Sequence, residues 1–173
     1  MAYAPTLTVS VDANPCPRVE VVFTSLHPDT ESLGAIYRTG DSREWKVRGS
    51  VGIAVSDQIA RIDYEAPFGI PISYRAEMLN GAGDSLGFTD SSSEVTVDVD
   101  ETWVHNPLNP QVALRVVTLD GTSYDWSRPV DGAVLYPKAR RVGVVIGGAR
   151  QGLRGQQFDL LVDSDADADA FSS

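Results

Sequence analysis

The chain has 173 residues, a formal net charge of −10 and one cysteine. The charge argues against a nucleic-acid backbone as partner, which needs clustered Lys and Arg, and one thiol cannot form an intrachain disulfide. At 42% hydrophobic the chain has material for a core, but no segment approaches the ~18 apolar residues of a membrane span, and MAYAPTLTVS lacks the charged and apolar regions of a secretory signal.

Alternation with a period of two marks the strands. Leu7, Val9 and Val11 alternate with polar residues, and Asn14-Pro15-Cys16-Pro17 breaks that first strand. Residues 18–26 follow, with Val19, Val21 and Phe23 on one face, then residues 34–39 and 43–48, where Trp45 and Val47 share a face. A short strand is expected at 51–55, and another with Ala60, Ile62 and Tyr64 on one face. The stretch 61–86 organises this half: strand, Pro67 and Pro71 in a corner, strand, and the turn Asn80-Gly81-Ala82-Gly83. In its second strand Ile72, Tyr74, Ala76 and Met78 face inward, and residues 94–100 close the set with Val95, Val97 and Val99 inward.

About seven strands at this spacing predict an all-β fold with an N-terminal seven-stranded β-sandwich. Ala66-Pro67, Tyr74 and the turn at 80–85 resemble the corner and final turn of fibronectin type III-like or immunoglobulin-like domains. The early-strand Trp common in that family is absent, so Phe23 would fill its space.

Residues 101–110 (ETWVHNPLNP) lack alternation and carry two prolines, which predicts a connector. Trp103, Val104 and Leu108 are expected to pack it against the flanking domains. The organisation expected is therefore a sandwich over 1–100, a packed Pro-rich connector over 101–110, and a second, smaller β-rich domain over 111–173. In that domain residues 111–119 form a strand ended by Asp120-Gly121, and Tyr124-Asp125-Trp126 suits a short return strand. Residues 142–146 and 156–162 read as strands joined by a long hairpin loop over 147–155. Ser164 suits a helix N-cap followed by Asp165, Asp167 and Asp169. A domain stopping one turn into a helix looks incomplete: either the natural chain continues, or the tail docks on a neighbouring subunit.

The candidate chemistry is thin. Asp163, Asp165, Asp167 and Asp169 have the spacing of a calcium loop, but Ala168 stands where Gly is needed and the twelfth position lies past Ser173. The glycine-rich run 147–155 joins strand to strand and lacks the Lys-Ser/Thr ending of a phosphate loop. His27 and His105 sit apart in turns, and Cys16 lies between prolines. The pairs Asp63/Glu65 and Asp98/Asp100 are expected on solvent faces. Trp45, Trp103 and Trp126 could stack on sugars, although packing is the simpler role. No catalytic, cofactor or metal residue is assigned. Trp103, Arg150, Leu153 and Arg154 are the candidate interface residues.

DYEAPFGIPISYRAE (63–77), TWVHNPLNP (102–110) and RRVGVVIGGARQGLRGQQFDLLVDSDADADAF (140–171) together resemble minor tail proteins of long-tailed bacteriophages that infect actinobacteria. His105-Asn106 replaces the Asp-type residue expected before Pro107. The resemblance implies a non-enzymatic structural component of the tail or tail tip, located in the virion and made in the host cytoplasm without a signal peptide. It implies a homo-oligomeric ring in contact with other tail proteins. The alternative is a β-sandwich adhesion module for a host-surface glycan or protein.

Overall fold

The computed structural model describes residues 3–55, 58–119, 130–135, 144–150, 159–162 and Asp169, with the backbone alone at 130–135 and 144–150. Eight strands precede residue 100: β1 (Thr6–Ser10), β2 (Arg18–Phe23), β3 (Ser32–Gly40), β4 (Arg43–Lys46), β5 (Ile53–Ala54), β6 (Ile59–Asp63), β7 (Ile72–Leu79) and β8 (Ser85–Phe88). They form two antiparallel sheets, one ordered β1-β2-β6 and the other β4-β3-β7-β8, with β5 also pairing β3. Inward side chains of both sheets meet in one cluster: Val19, Val21, Phe23 and Ile59 from the first, Leu33, Ile36, Ile72, Tyr74, Ala76 and Met78 from the second. Each large aliphatic or aromatic side chain so buried contributes about 1.5–3 kcal/mol.

The alternation read for β2 and β7 matches this burial, and the turn at 80–84 forms as expected. Asn80 Oδ1 accepts from the backbone N–H of Ala82 (3.0 Å) and of Asp84 (2.8 Å).

Before residue 100 three expectations are corrected. In β6 the buried residues are Ile59 and Asp63, whereas Ala60 and Ile62 face solvent. The apolar spacing Ala60-Ile62-Tyr64 thus pointed to the wrong face, because Asp63 finds partners inside. Residues 94–100 are not a continuous strand. They contribute single bridges, Val95 to Ile72 and Val97 to Phe68, although Val97 is buried and Val95 and Val99 pack on the core. The strand beside β7 is instead β8, a short segment with Gly87 at φ 99° that alternation did not reveal.

Beyond β8 the edge of β7 is closed by hydroxyls. The N–H of Ala76 donates to Thr89 Oγ1 (3.0 Å) and that of Tyr74 to Ser92 Oγ (3.0 Å). The N–H groups of Thr89 and Ser92 return bonds to the carbonyls of Ala76 (2.8 Å) and Tyr74 (2.9 Å). Ser50 does the same for β3, where its Oγ accepts from Ile36 N–H (3.1 Å) and donates to the Val47 carbonyl (2.6 Å).

The described strands after residue 100 also pair antiparallel. β9 (Thr102–Asn106) and β10 (Asn109–Thr118) form a hairpin, and β11 (Val130–Leu135) pairs β12 (Val144–Arg150). β13 (Leu160–Leu161) joins β10, giving the order β13-β10-β9. The expected connector 101–110 is therefore a strand and a turn. Thr102, Trp103 and Val104 suit a pleated strand, and Asn106 Oδ1 accepts from Leu108 N–H (2.9 Å) to close the turn. Leu108 is 82% exposed, not packed. The expected loop over 147–155 is strand through Arg150, since glycines at 147 and 148 do not prevent pairing with β11. Among the described residues β13 pairs β10. The expected strand at 124–126, Leu153, Arg154 and most of the expected helix lie outside the described residues; Asp169 is helical.

Two substitutions test this frame. Ser92→Ala leaves the buried Tyr74 N–H without its acceptor and should lower the unfolding free energy by about 1–3 kcal/mol in a urea titration, whereas the exposed Ser91→Ala should stay within about 0.5 kcal/mol of the parent. In the β3–β4 turn Asp41 and Ser42 hold φ of 46° and 57°. Ser42→Gly should therefore raise stability by about 0.5–1 kcal/mol, the relief of a left-handed residue less the added freedom of glycine when unfolded.

Candidate functional site

One polar cluster fixes the corner after β6. The Asp63 carboxylate is 2% exposed. Its Oδ2 accepts from Arg38 Nη1 (2.6 Å) and from the Tyr74 hydroxyl (3.0 Å), and its Oδ1 accepts from Glu65 N–H (2.9 Å). Arg38 Nη1 also donates to the Glu65 carbonyl (2.7 Å). Burial, reinforced by the Asp63 charge, pushes the Tyr74 phenol well above its ordinary range. This corrects the expectation that Asp63 faces solvent. Glu65 is at the surface, where Arg48 donates to its two oxygens from Nε (3.1 Å) and Nη2 (2.8 Å).

The corner so held forms one wall of a cleft of about 350 Å³. Tyr64, Glu65, Ala66, Pro67 and Phe68 line that wall, and Phe68 is bridged to Val97. The loop between β1 and β2 supplies Cys16 and Pro17. That loop contains a cis peptide bond at Asn14–Pro15 and is tied by Asp12, which accepts from Asn14 N–H (3.1 Å) and Arg18 Nη1 (2.8 Å). The Arg18 hydrogen bond holds the Asp12 carboxyl below its usual value. The opposite wall is β9, whose alternate residues Trp103 and His105 face the cleft, with Pro107 beyond the strand.

Of the titratable groups of this cleft, Cys16 is buried and Glu65 is paired. Cys16 is 1% exposed, and burial raises its thiol pKa, which disfavours the nucleophilic thiolate. The Glu65 carboxylate is engaged by Arg48. Trp103 Nε1 and His105 Nε2 are buried and have no hydrogen-bond partner. A second cleft of about 370 Å³ lies along β10, lined by Thr102, Arg115, Val117 and Leu161 among others. Among the described residues no three His, Cys, Asp or Glu are grouped to hold a metal ion, and no helix is long and apolar enough to cross a membrane.

Of the interface residues named from sequence, Trp103 lies in the first cleft and Arg150 ends β12, paired through its backbone with Val130. Leu153 and Arg154 lie outside the described residues. His105, expected in a turn, is instead in β9, and it lines the cleft with Tyr64 and Phe68, none of which is among the interface candidates. For His105 the signal is the alternation of 103, 105 and 107, hidden by reading that segment as a connector. Comparison with protein-family models, with curated proteins and with solved structures gave no match.

The buried phenol sets a pH dependence. Because the folded-state pKa of Tyr74 is raised, its contribution is fully present below the ordinary phenol value of 10.0 and declines as pH rises above it. Urea titrations should show stability falling above pH 10, with Tyr74→Phe removing part of that decline. At neutral pH the same substitution should cost about 1.5–3 kcal/mol, the worth of a hydroxyl bonded to a carboxylate.

Proposed function

We propose that this chain is a structural component of a bacteriophage tail or tail tip, a minor tail protein acting through subunit–subunit contacts in a symmetric assembly. The observation that carries this function is apolar surface left uncovered on the β13-β10-β9 sheet. Val117 and Leu161 stand directly opposite each other in register, and each is 53% exposed. Leu119 and the turn residue Leu108 are exposed as well. Contiguous apolar side chains on a small sheet suit burial against another subunit, and repetition in a ring multiplies modest contacts.

The strand orders β1-β2-β6 and β4-β3-β7-β8 around one core support a fibronectin type III- or immunoglobulin-like sandwich for residues 1–100. In this proposal the sandwich is the scaffold, and the residues after 101 make the contacts with copies of the chain and other tail proteins. Trp103, Arg150, Leu153 and Arg154 remain the named interface candidates. A second function, adhesion to a host-surface glycan or protein, is favoured by Trp45, 39% exposed on the edge strand β4 beneath the Arg38 guanidinium (5.5 Å to the ring centroid).

Mass spectrometry and electron microscopy of purified particles of the encoding phage decide between these. The chain should be found in the virion at a stoichiometry set by tail symmetry. Its absence from particles would overturn the proposal, and binding of the isolated chain to host cells through Trp45 would favour adhesion.

A further inference from the structure

We infer that β4, an edge strand of the larger sheet, is the surface through which the free chain pairs with a second copy of itself, strand against strand about a two-fold axis at Trp45. Among the described residues β4 is hydrogen-bonded to β3 and to no other strand. All of Arg43–Lys46 is exposed. A strand so placed offers open main-chain groups to an extended partner.

The phase of the hydrogen bonds says which groups are open. In an antiparallel pair, opposite residues alternately exchange and do not exchange main-chain bonds. β3 and β4 run in the register Tyr37 to Lys46, Arg38 to Trp45, Thr39 to Glu44 and Gly40 to Arg43. One step further in the same register, Val47 N–H donates to the Ile36 carbonyl (2.9 Å). Arg43 and Trp45 therefore direct their main-chain groups to β3, whereas Glu44 and Lys46 turn theirs to the free edge.

Charge selects the occupant and its register. Glu44 and Lys46 lie on the outer face of the sheet: Glu44 Oε2 accepts from Arg75 Nη2 (2.8 Å), and the Lys46 amine stands 5.7 Å from the centroid of the Tyr37 ring. Two antiparallel copies can bring the open groups opposite each other about an axis at Glu44, at Trp45 or at Lys46. An axis at Glu44 sets Glu44 against Glu44, and one at Lys46 sets Lys46 against Lys46. Like charges directly opposite are destabilising. An axis at Trp45 sets each Glu44 against the Lys46 of the other copy, and both pairs exchange main-chain bonds. It also places the two Trp45 side chains, each 39% exposed, at the non-bonded position where side chains approach most closely. β1, an edge of the smaller sheet, carries no charged residue to fix a register. Such a self-complementary contact closes at two copies. It is a property of the free chain and does not rest on the tail assignment, whose contacts lie after residue 101.

The test is sedimentation equilibrium of the full chain up to millimolar concentration, with amide NMR spectra over the same range. A monomer–dimer equilibrium is expected, with concentration-dependent shifts at the Glu44 and Lys46 amides. Glu44→Lys and Lys46→Glu each set like charges opposite and should weaken the dimer about tenfold. Both changes in one chain restore opposite charges and should restore the dimer. An equimolar mixture of the two single variants should form the heterodimer in preference to either homodimer. If a variant does not fold, the amide shifts of the parent chain decide the matter. Absence of self-association at millimolar concentration would overturn the inference. So would a dimer indifferent to both charge reversals, or one whose amide shifts fall after residue 101 and not on β4.

Discussion

The fold of the first hundred residues turns on a carboxylate buried between two sheets. Asp63 belongs to β6 in one sheet, whereas Arg38 and Tyr74 belong to β3 and β7 in the other. Such a cluster adds little net stability over an apolar substitute, but removing one partner leaves a buried charge at a cost of about 3–5 kcal/mol. Its value is in register. A one-residue slip of β6 would put Ile62 inside and Asp63 in water, an arrangement that hydrophobicity alone would favour. The cluster instead selects the face carrying Ile59 and Asp63, and thereby the position of the corner that follows.

From that choice the cleft follows in steps. Glu65 N–H and carbonyl are held by Asp63 and Arg38, which sets the course of residues 64–68. Phe68 is then bridged to Val97, and Gly69 N–H donates to the Val97 carbonyl (2.9 Å), so the segment around Val97 braces the corner from behind. One wall of the cleft is thus built on a polar lock, and the other on a hairpin in which Trp103 Nε1 and His105 Nε2 are unsatisfied.

Much of this frame is legible in the sequence. Where one face is plainly apolar, as in β2 and β7, alternation alone predicts burial residue by residue. It fails where a polar side chain has a private partner far along the chain: nothing local to Asp63 announces Arg38, 25 positions away. It fails again at β8 and β9, where a glycine at positive φ and an Asn-Pro turn look like loop. Of the candidate site, Trp103 and the Pro67 corner were legible as separate features. Their convergence with Cys16 and His105 is a tertiary fact that no periodicity encodes.

Thr89 and Ser92 have a consequence for the behaviour of the chain among many copies. A bare sheet edge is a template on which any extended chain can condense. On β7 past the end of β8, the donors at Tyr74 and Ala76 are taken by the two hydroxyls, so no row of open N–H groups faces outward there. A stretch of sequence that looks like polar filler, TDSSSE, thereby guards this edge against indiscriminate aggregation.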